Sequence, residues 1–300
     1  MKEFQELGSR KLQQDIIQII TERYSCRRYT GEPLREKERL SLGEFLSAKA
    51  RGPLGSPTRL VLLAQAQEDQ GVLKGLGTYG FIRGATAFMA GSVGSSPNDM
   101  EDYGYVMEEA VLYATGLGLG TCWLGGTFTK SSFARKVGLR AGESMPAVVA
   151  LGYKHKEDPI RGQLRRRVGA TQRFPAEKLF FQESFEKPLR LHPEEPLGKV
   201  LECVRWAPSA SNKQPWRIVR IGRDFLFYLQ RSKGYGKGSL LFRLLGLADL
   251  QRVDMGIAMC HFELAWVQLG LKGKWVKEKA QLLPSQGSLQ YIITWRPDTG

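Results

Sequence analysis

The chain has 300 residues, 42% of them hydrophobic and 25% charged, the balance of a soluble globular protein of about two domains' length. No apolar run reaches the ~20 residues needed to cross a bilayer, and Met1–Glu6 lacks the apolar core of a signal peptide, so no membrane association and a cytoplasmic location are expected. The net charge of +14 permits nucleic-acid binding, but the basic residues are scattered and no helix-turn-helix, zinc-finger or aromatic RNA motif accompanies them, so no nucleic-acid partner is expected.

In chain order, Lys11 to Tyr24 reads as an amphipathic helix with Ile16, Ile17, Ile19 and Ile20 on its apolar side. A loop follows, then a helix over Leu34 to Ala48 and a Gly/Pro turn, Arg51 to Pro57. Arg59 to Ala64 and a segment including Ala87 to Gly91 read as buried strands. A polar loop to Asp99 precedes a helix over Met100 to Thr115, which stops at Gly116, Gly118 and Gly120. A short helix, Ser132 to Val137, and a strand, Met145 to Tyr153, complete the first half. Residues 154 to 195, rich in charge and proline, read as a connecting arm with a helical patch at Ala176 to Gln182. Then come a helix (Leu197 to Arg205), a polar loop (Ala207 to Pro215), two strands (Trp216 to Ile221, Phe225 to Gln230), a helix (Gln251 to Gln268) and a last strand (Leu289 to Trp295).

One pattern occurs twice. Asp102-Tyr-Gly104, Leu117-Gly-Leu119 and Trp123 recur as Asp254-Met-Gly256, Leu269-Gly-Leu271 and Trp275, at a constant spacing of 152 residues. Pro57 to Leu63 also lines up with Pro215 to Ile221, and Pro33-Leu34 with Pro196-Leu197. This implies a fused duplication, an α+β protein of two pseudo-symmetric halves, 1–185 with the arm and 186–300, packed through their long central helices. A fused pair stands in for a symmetric homodimer, so a monomer acting as a pseudo-dimer is expected.

The four cysteines (26, 122, 203, 260) and three histidines (155, 192, 261) have no metal-ligand or disulfide spacing; no metal is expected, and His261 reads as a packed or surface helix residue rather than a catalyst. Three segments carry chemistry. Arg23-Tyr-Ser25-Cys-Arg27-Arg28 offers guanidinium forks and a hydroxyl to a phosphate, or is a solvated basic turn. Ala207-Pro-Ser209-Ala-Ser211-Asn212-Lys-Gln214-Pro-Trp216 combines small residues with amides suited to the edge of a polar ring. Gly116-Leu-Gly118-Leu-Gly120-Thr-Cys-Trp123-Leu-Gly125-Gly126 fails as G-x-G-x-x-G and follows a helix, not a strand, which excludes a Rossmann turn; it reads as a glycine-rich approach to a flat ligand.

Together these segments resemble the FMN-dependent nitroreductase family over nearly the whole chain, the Pro208-Ser-Ala-Ser-Asn-Lys-Gln-Pro-Trp216 match being the most specific. Because the Arg-x-Ser-x-Arg and glycine segments lie in one half and the Asn/Gln loop in the other, the chain is similar to the fused, single-chain branch. The resemblance implies a nitroreductase-like fold with antiparallel-type sheets. It implies that Arg23, Ser25 and Arg27 hold the FMN phosphate and ribityl chain, completed by Arg173, with Arg165 to Arg167 as a second candidate. Pro208, Ser209, Ala210 and Asn212 would line the isoalloxazine from one side, and Trp123, Leu124, Gly125 and Gly126 from the other, with a Gly125–Gly126 N–H directed to the N5 edge. Ala210 stands where many relatives have Ser, and Tyr24 where a basic residue or His is commoner. The implied activity is hydride transfer from NAD(P)H through the flavin to a small nitroaromatic, quinone or enone acceptor, with no catalytic side chain required. The alternative is an FMN-binding storage or sensing protein without turnover. The first-half counterpart of the Asn/Gln loop, Ala50 to Pro57, lacks its Ser-x-Asn chemistry, so one flavin per chain is expected.

Overall fold

The computed structural model describes residues 15–65, 71–126, 128–156, 172–192, 194–232, 248–277 and 289–298. The start of the expected Lys11–Tyr24 helix and the Arg165–Arg167 run lie outside them. The first half runs α1 (Ile16–Glu22), α2 (Glu36–Ser47), β1 (Thr58–Ala64), β2 (Ala87–Gly94), α3 (Asp99–Gly116), β3 (Gly120–Leu124), α4 (Lys130–Val137), β4 (Glu143–Ser144) and β5 (Val148–Gly152). A 3₁₀ turn (Ala176–Lys178) and β6 (Phe180–Gln182) lead to α5 (Pro196–Trp206), a 3₁₀ turn (Ala210–Asn212), β7 (Trp216–Ile221), β8 (Asp224–Gln230), α6 (Leu250–Gln268), β9 (Gly273–Val276) and β10 (Leu289–Pro297).

The first sheet has the order β1-β2-β5-β3, with β4 beside β2; the second has β6-β7-β8-β10-β9. Matching β1 to β7, β2 to β8, β5 to β10 and β3 to β9 superposes the two orders, so the duplication extends to topology. All pairings are antiparallel except β6 with β7, which is parallel. β6 comes from the connecting arm, so the arm adds an edge strand to the second-half sheet.

At the centre α3 and α6 pack on each other, buried from Glu101 to Thr115 and from Val253 to Trp266. The close approach is fixed by the repeated glycines. A Cβ on Gly104 would overlap the Val253 carbonyl, and one on Gly256 would overlap the Glu101 carbonyl. Since 101 and 253, like 104 and 256, are twins at the repeat spacing, the contact is isologous, as across a two-fold axis. One hydrophobic cluster takes in residues of both halves, from Leu42 and Val111 to Phe262 and Trp295.

Five local readings change. Gly120–Leu124, expected as a glycine stretch, is a strand, because all five residues pair with Val148–Gly152. The Ala176–Gln182 patch is helical only to Lys178; Phe180–Gln182 pairs with Ile218–Arg220. Two strands were not expected: β9, Gly273–Val276, which pairs with Thr294–Pro297, and the two-residue β4 at Glu143. The first helix ends at Glu22, before Tyr24, where Arg23 turns extended (φ −63°, ψ 132°).

Candidate functional site

That early stop shapes the first segment. Beyond Arg23 the chain is held like a strand: Ser25 bridges Thr121 of β3, Cys26 N–H donates to the Thr121 carbonyl (2.8 Å), and Arg28 bridges Arg83. Extended chain alternates its side chains between faces, so Arg23, Ser25 and Arg27 share one face, while Cys26 is buried in the other direction. The Arg-x-Ser-x-Arg spacing is thus a period-two presentation of two guanidinium groups and a hydroxyl. All three line a cavity of about 490 Å³ between the halves.

The opposite wall is the loop after α5. Its backbone turns through positive φ at Ser211 (50°), Asn212 (55°) and Gln214 (46°), a strained path for residues with side chains. Dense hydrogen bonding holds it. Gln214 N–H donates to Ser209 Oγ (2.9 Å), Phe174 N–H to Gln214 Oε1 (2.8 Å), and Ala210 N–H to Asp254 Oδ1 (2.9 Å). Arg173 Nη1 donates to Asn212 Oδ1 (2.9 Å), and Asn212 Nδ2 to the Gln172 carbonyl (2.7 Å). The two amides expected to face a ring therefore also fasten the loop to the arm, and Gln214 is buried away from the cavity.

Eleven of the twelve residues singled out in the sequence line this one cavity: Arg23, Ser25, Arg27, Trp123, Gly125, Gly126, Arg173, Pro208, Ser209, Ala210 and Asn212. Leu124 does not. On β3 its side chain alternates away from that of Trp123 and packs in the cluster with Phe128 and Phe133. Sequence reasoning gave no site role to Phe81, whose ring carries the Arg27 guanidinium at 4.5 Å, nor to the α6 residues Leu250, Val253, Asp254 and Ile257.

A buried polar chain supports the first-half wall. Glu108 accepts from Trp123 Nε1 (2.7 Å), lies 2.9 Å from His261 Nε2, and has Arg23 Nε at 4.0 Å. His261 Nδ1 is 2.9 Å from the Cys203 carbonyl, which can only accept, so Nδ1 carries a hydrogen. On the second-half wall, burial pushes the Asp254 carboxyl well above the usual carboxylate range; the Ala210 N–H opposes this and Asp249 adds to it.

The twin positions differ. Val253, Ile257, Leu250 and Gly125 correspond at the repeat spacing to Glu101, Tyr105, Asn98 and Lys277. These four bond within the protein: Glu101 Oε1 accepts from Arg252 Nε (2.8 Å), Tyr105 Oη donates to Glu263 (2.8 Å), and Lys277 Nζ donates to Asn98 Oδ1 (2.9 Å). The apolar and small residues on one side, against large polar ones at their twins, were a readable signal for the missed α6 wall. Among the described residues no group of three His, Cys, Asp or Glu could hold a metal ion, and no helix is long and apolar enough to cross a membrane.

Compared with known proteins, residues 15–266 match the family model described as "Putative TM nitroreductase". A solved Thermotoga maritima protein described as a "putative nitroreductase" is similar at 17% identity and a TM-score of 0.57, with 94% of each chain covered; at that identity the likeness is one of fold. A nitroreductase with bound FMN from Desulfitobacterium hafniense matches at 18% identity and a TM-score of 0.37, over 51% of this chain and 98% of its own. A nitroreductase family protein of Clostridium difficile matches at 19% and 0.39, over 53% and 92%. No curated protein sequence matches the chain at a significant level.

Proposed function

The chain belongs to the nitroreductase family, and from that premise we propose that it is an FMN-dependent oxidoreductase with its flavin in the cavity between the halves. The observation that carries the reading is convergence. An extended Arg-x-Ser-x-Arg face from one half and a small-residue loop from the other meet across one cavity of about 490 Å³, within the usual size range of cofactor sites.

The residues present fit the cofactor. Arg23, Ser25 and Arg27, with Arg173 from the arm, supply charge-assisted donors to a phosphate. Trp123, Val253 and Ile257 give apolar surface to a ring and exclude water from it. Ala210 keeps the loop side low, and a Cβ on Gly126 would meet nothing within 4 Å, so its backbone is open to approach. When bound, FMN supplies the redox chemistry, accepting hydride from NAD(P)H and passing it to a nitroaromatic, quinone or enone acceptor. The protein's part is to bind, orient and shield; the Gly125–Gly126 N–H is the proposed donor to the N5 edge. Nothing in this scheme calls for a protein acid, base or metal.

One flavin per chain is part of the proposal, because Glu101, Tyr105, Asn98 and Lys277 stand at the twin of the cavity wall. With its two half-sites in one polypeptide, the chain is read as a monomeric pseudo-dimer with halves 1–185 and 186–300, working in the cytoplasm. The test is an absorption spectrum of the purified protein followed by anaerobic NAD(P)H. Flavin bands that bleach and recover with an acceptor are expected. A colourless protein that takes up no FMN refutes the reading, and flavin that no NAD(P)H reduces replaces the enzyme with a storage or sensing protein.

A further inference from the structure

The repeat places one residue, the Asp of Asp-x-Gly, in two settings. In the first half, Asp102 uses both oxygens on its own loop: Oδ1 accepts from Leu54 N–H (2.7 Å) and Oδ2 from Ser56 N–H (2.8 Å). In the second, Asp254 Oδ1 accepts from Ala210 N–H (2.9 Å), while Oδ2 is buried with no hydrogen-bond partner among the described residues. Asp254 is 2% exposed and lines the cavity. A buried polar atom without a partner costs about 1–3 kcal/mol, and native folds leave few of them. The fold does not impose this one, since at the twin position both oxygens of the same residue are satisfied. The difference falls on the side that has the cavity.

We propose that Asp254 contacts the ligand directly: its Oδ2 donates a hydrogen bond to a carbonyl oxygen or ring nitrogen of the flavin bound in this cavity. The inference deepens the flavin reading and rests on it. Donation requires the neutral acid, and the surroundings favour it. Asp249, at the N-terminus of α6, adds a like charge and is itself paired with Arg231 (2.6 Å). Of the cavity arginines, Arg173 donates to Asn212 and to the Trp206 carbonyl, Arg27 lies on Phe81, and Arg23 lies beside Glu108. Burial holds the Asp254 carboxyl well above the usual carboxylate range. The Ala210 N–H also biases which oxygen donates. The carbonyl form of Oδ1 is the better acceptor toward it, which favours the proton on Oδ2.

The same constraint makes Asp254→Asn informative. The Ala210 N–H will face the amide oxygen, leaving Nδ2 where Oδ2 was, still a donor. Infrared difference spectra of the apo and FMN-loaded full-length protein read the carboxyl directly. The wild type should show a protonated-carboxyl stretch that moves to lower frequency on FMN addition and is absent from Asp254→Asn. That variant should keep FMN affinity within a few-fold. A band that FMN does not move, the absence of any protonated-carboxyl band assignable to Asp254, or a loss of more than about tenfold in affinity in Asp254→Asn overturns the inference. A wild type that binds no FMN overturns the flavin reading and this inference with it. One that binds FMN with an unmoved band overturns this inference alone.

Discussion

Gly256→Ala tests the inter-half contact on which the cavity depends. A Cβ at Gly256 would meet the Glu101 carbonyl group and, at 2.8 Å, the Tyr105 nitrogen. These are backbone atoms of α3 and cannot rotate away, so the helices must part by roughly an ångström or more to bring the Glu101 carbonyl to ordinary contact. Overpacking of this kind costs about 1–3 kcal/mol, with the upper end expected where the obstacle is backbone. Replacing an interior helical Gly by Ala returns about 1 kcal/mol of helix propensity, for a net destabilisation of about 2 kcal/mol. Gly43 on α2 is the matched control: it is helical and a Cβ there meets nothing within 4 Å, so Gly43→Ala keeps the propensity gain alone. With about 2.1 cal/mol/K of unfolding entropy per residue, the first variant should melt about 3 °C below the wild type and the second about 1.5 °C above it. Scanning calorimetry gives both shifts, and the core cluster shared by the halves makes a single transition the expectation. Gly256→Ala should also weaken FMN uptake, because it separates the two walls. A Gly256→Ala protein that melts at or above the wild type would refute the close-crossing argument.

Three further outcomes are expected. Arg27→Ala should weaken FMN binding about 10–100-fold, the worth of a charge-assisted contact, and riboflavin binding much less; equal losses for the two ligands would remove Arg27 from the phosphate end. Glu108→Leu strips partners from the Trp123 indole and the His261 ring and should cost about 2–5 kcal/mol in denaturant unfolding; an unchanged midpoint would show that the chain contributes nothing. For Asp254, the folded carboxyl holds its proton above the unfolded value of 3.8, so its contribution to stability is complete below about pH 4. It then falls by about 1.4 kcal/mol per pH unit as pH rises toward the folded pKa. Asp254→Asn does not titrate, so it should match the wild type near pH 4 and exceed it increasingly toward pH 7; a stability difference independent of pH would contradict a neutral Asp254.

What was legible in the sequence was whatever repeats or is local. The spacing of Asp102, Gly104, Leu117 and Trp123 against their second copies disclosed the paired helices, because a helix keeps its register over many residues. The three chemistry-bearing segments were readable for a similar reason: each is a short run whose side chains act together. What was hidden depends on distant partners. Gly120–Leu124 is strand only because β5 lies beside it, and glycine on its own argues against a strand. Phe180–Gln182 is three residues long and has no meaning without β7. Val253 and Ile257 sit in a helix buried on all sides, where the ridge facing a cavity looks like any other ridge. The roles of Asn212 and Gln214 were half read, since the arm that engages their amides is joined to them only in space.

The asymmetry between the halves follows a rule visible in their tryptophans. Trp123 donates to Glu108 at 2.7 Å and Trp275 to Glu263 at 2.6 Å, yet these carboxylates are not twins. The counterpart of Glu108 is Cys260, and the counterpart of Glu263 is Val111. Glu108 and Val111 are three residues apart, one turn along the same helical face, so either position of the repeated helix can reach the indole N–H of the repeated tryptophan. The hydrogen bond to the repeated tryptophan is kept in both halves while the residue that supplies it changes. Other positions diverge in opposite directions, to Val253, Ile257 and Gly125 at the site that has the cavity and to Glu101, Tyr105 and Lys277 at its twin. On the proposed one-flavin reading, the paired helices and matching sheets persist while the twin of the cavity wall is filled by residues that bond within the protein. Asp254 is the position at which both demands meet: Oδ1 does the scaffold's work that Asp102 does with two oxygens, and Oδ2 is left for the cavity.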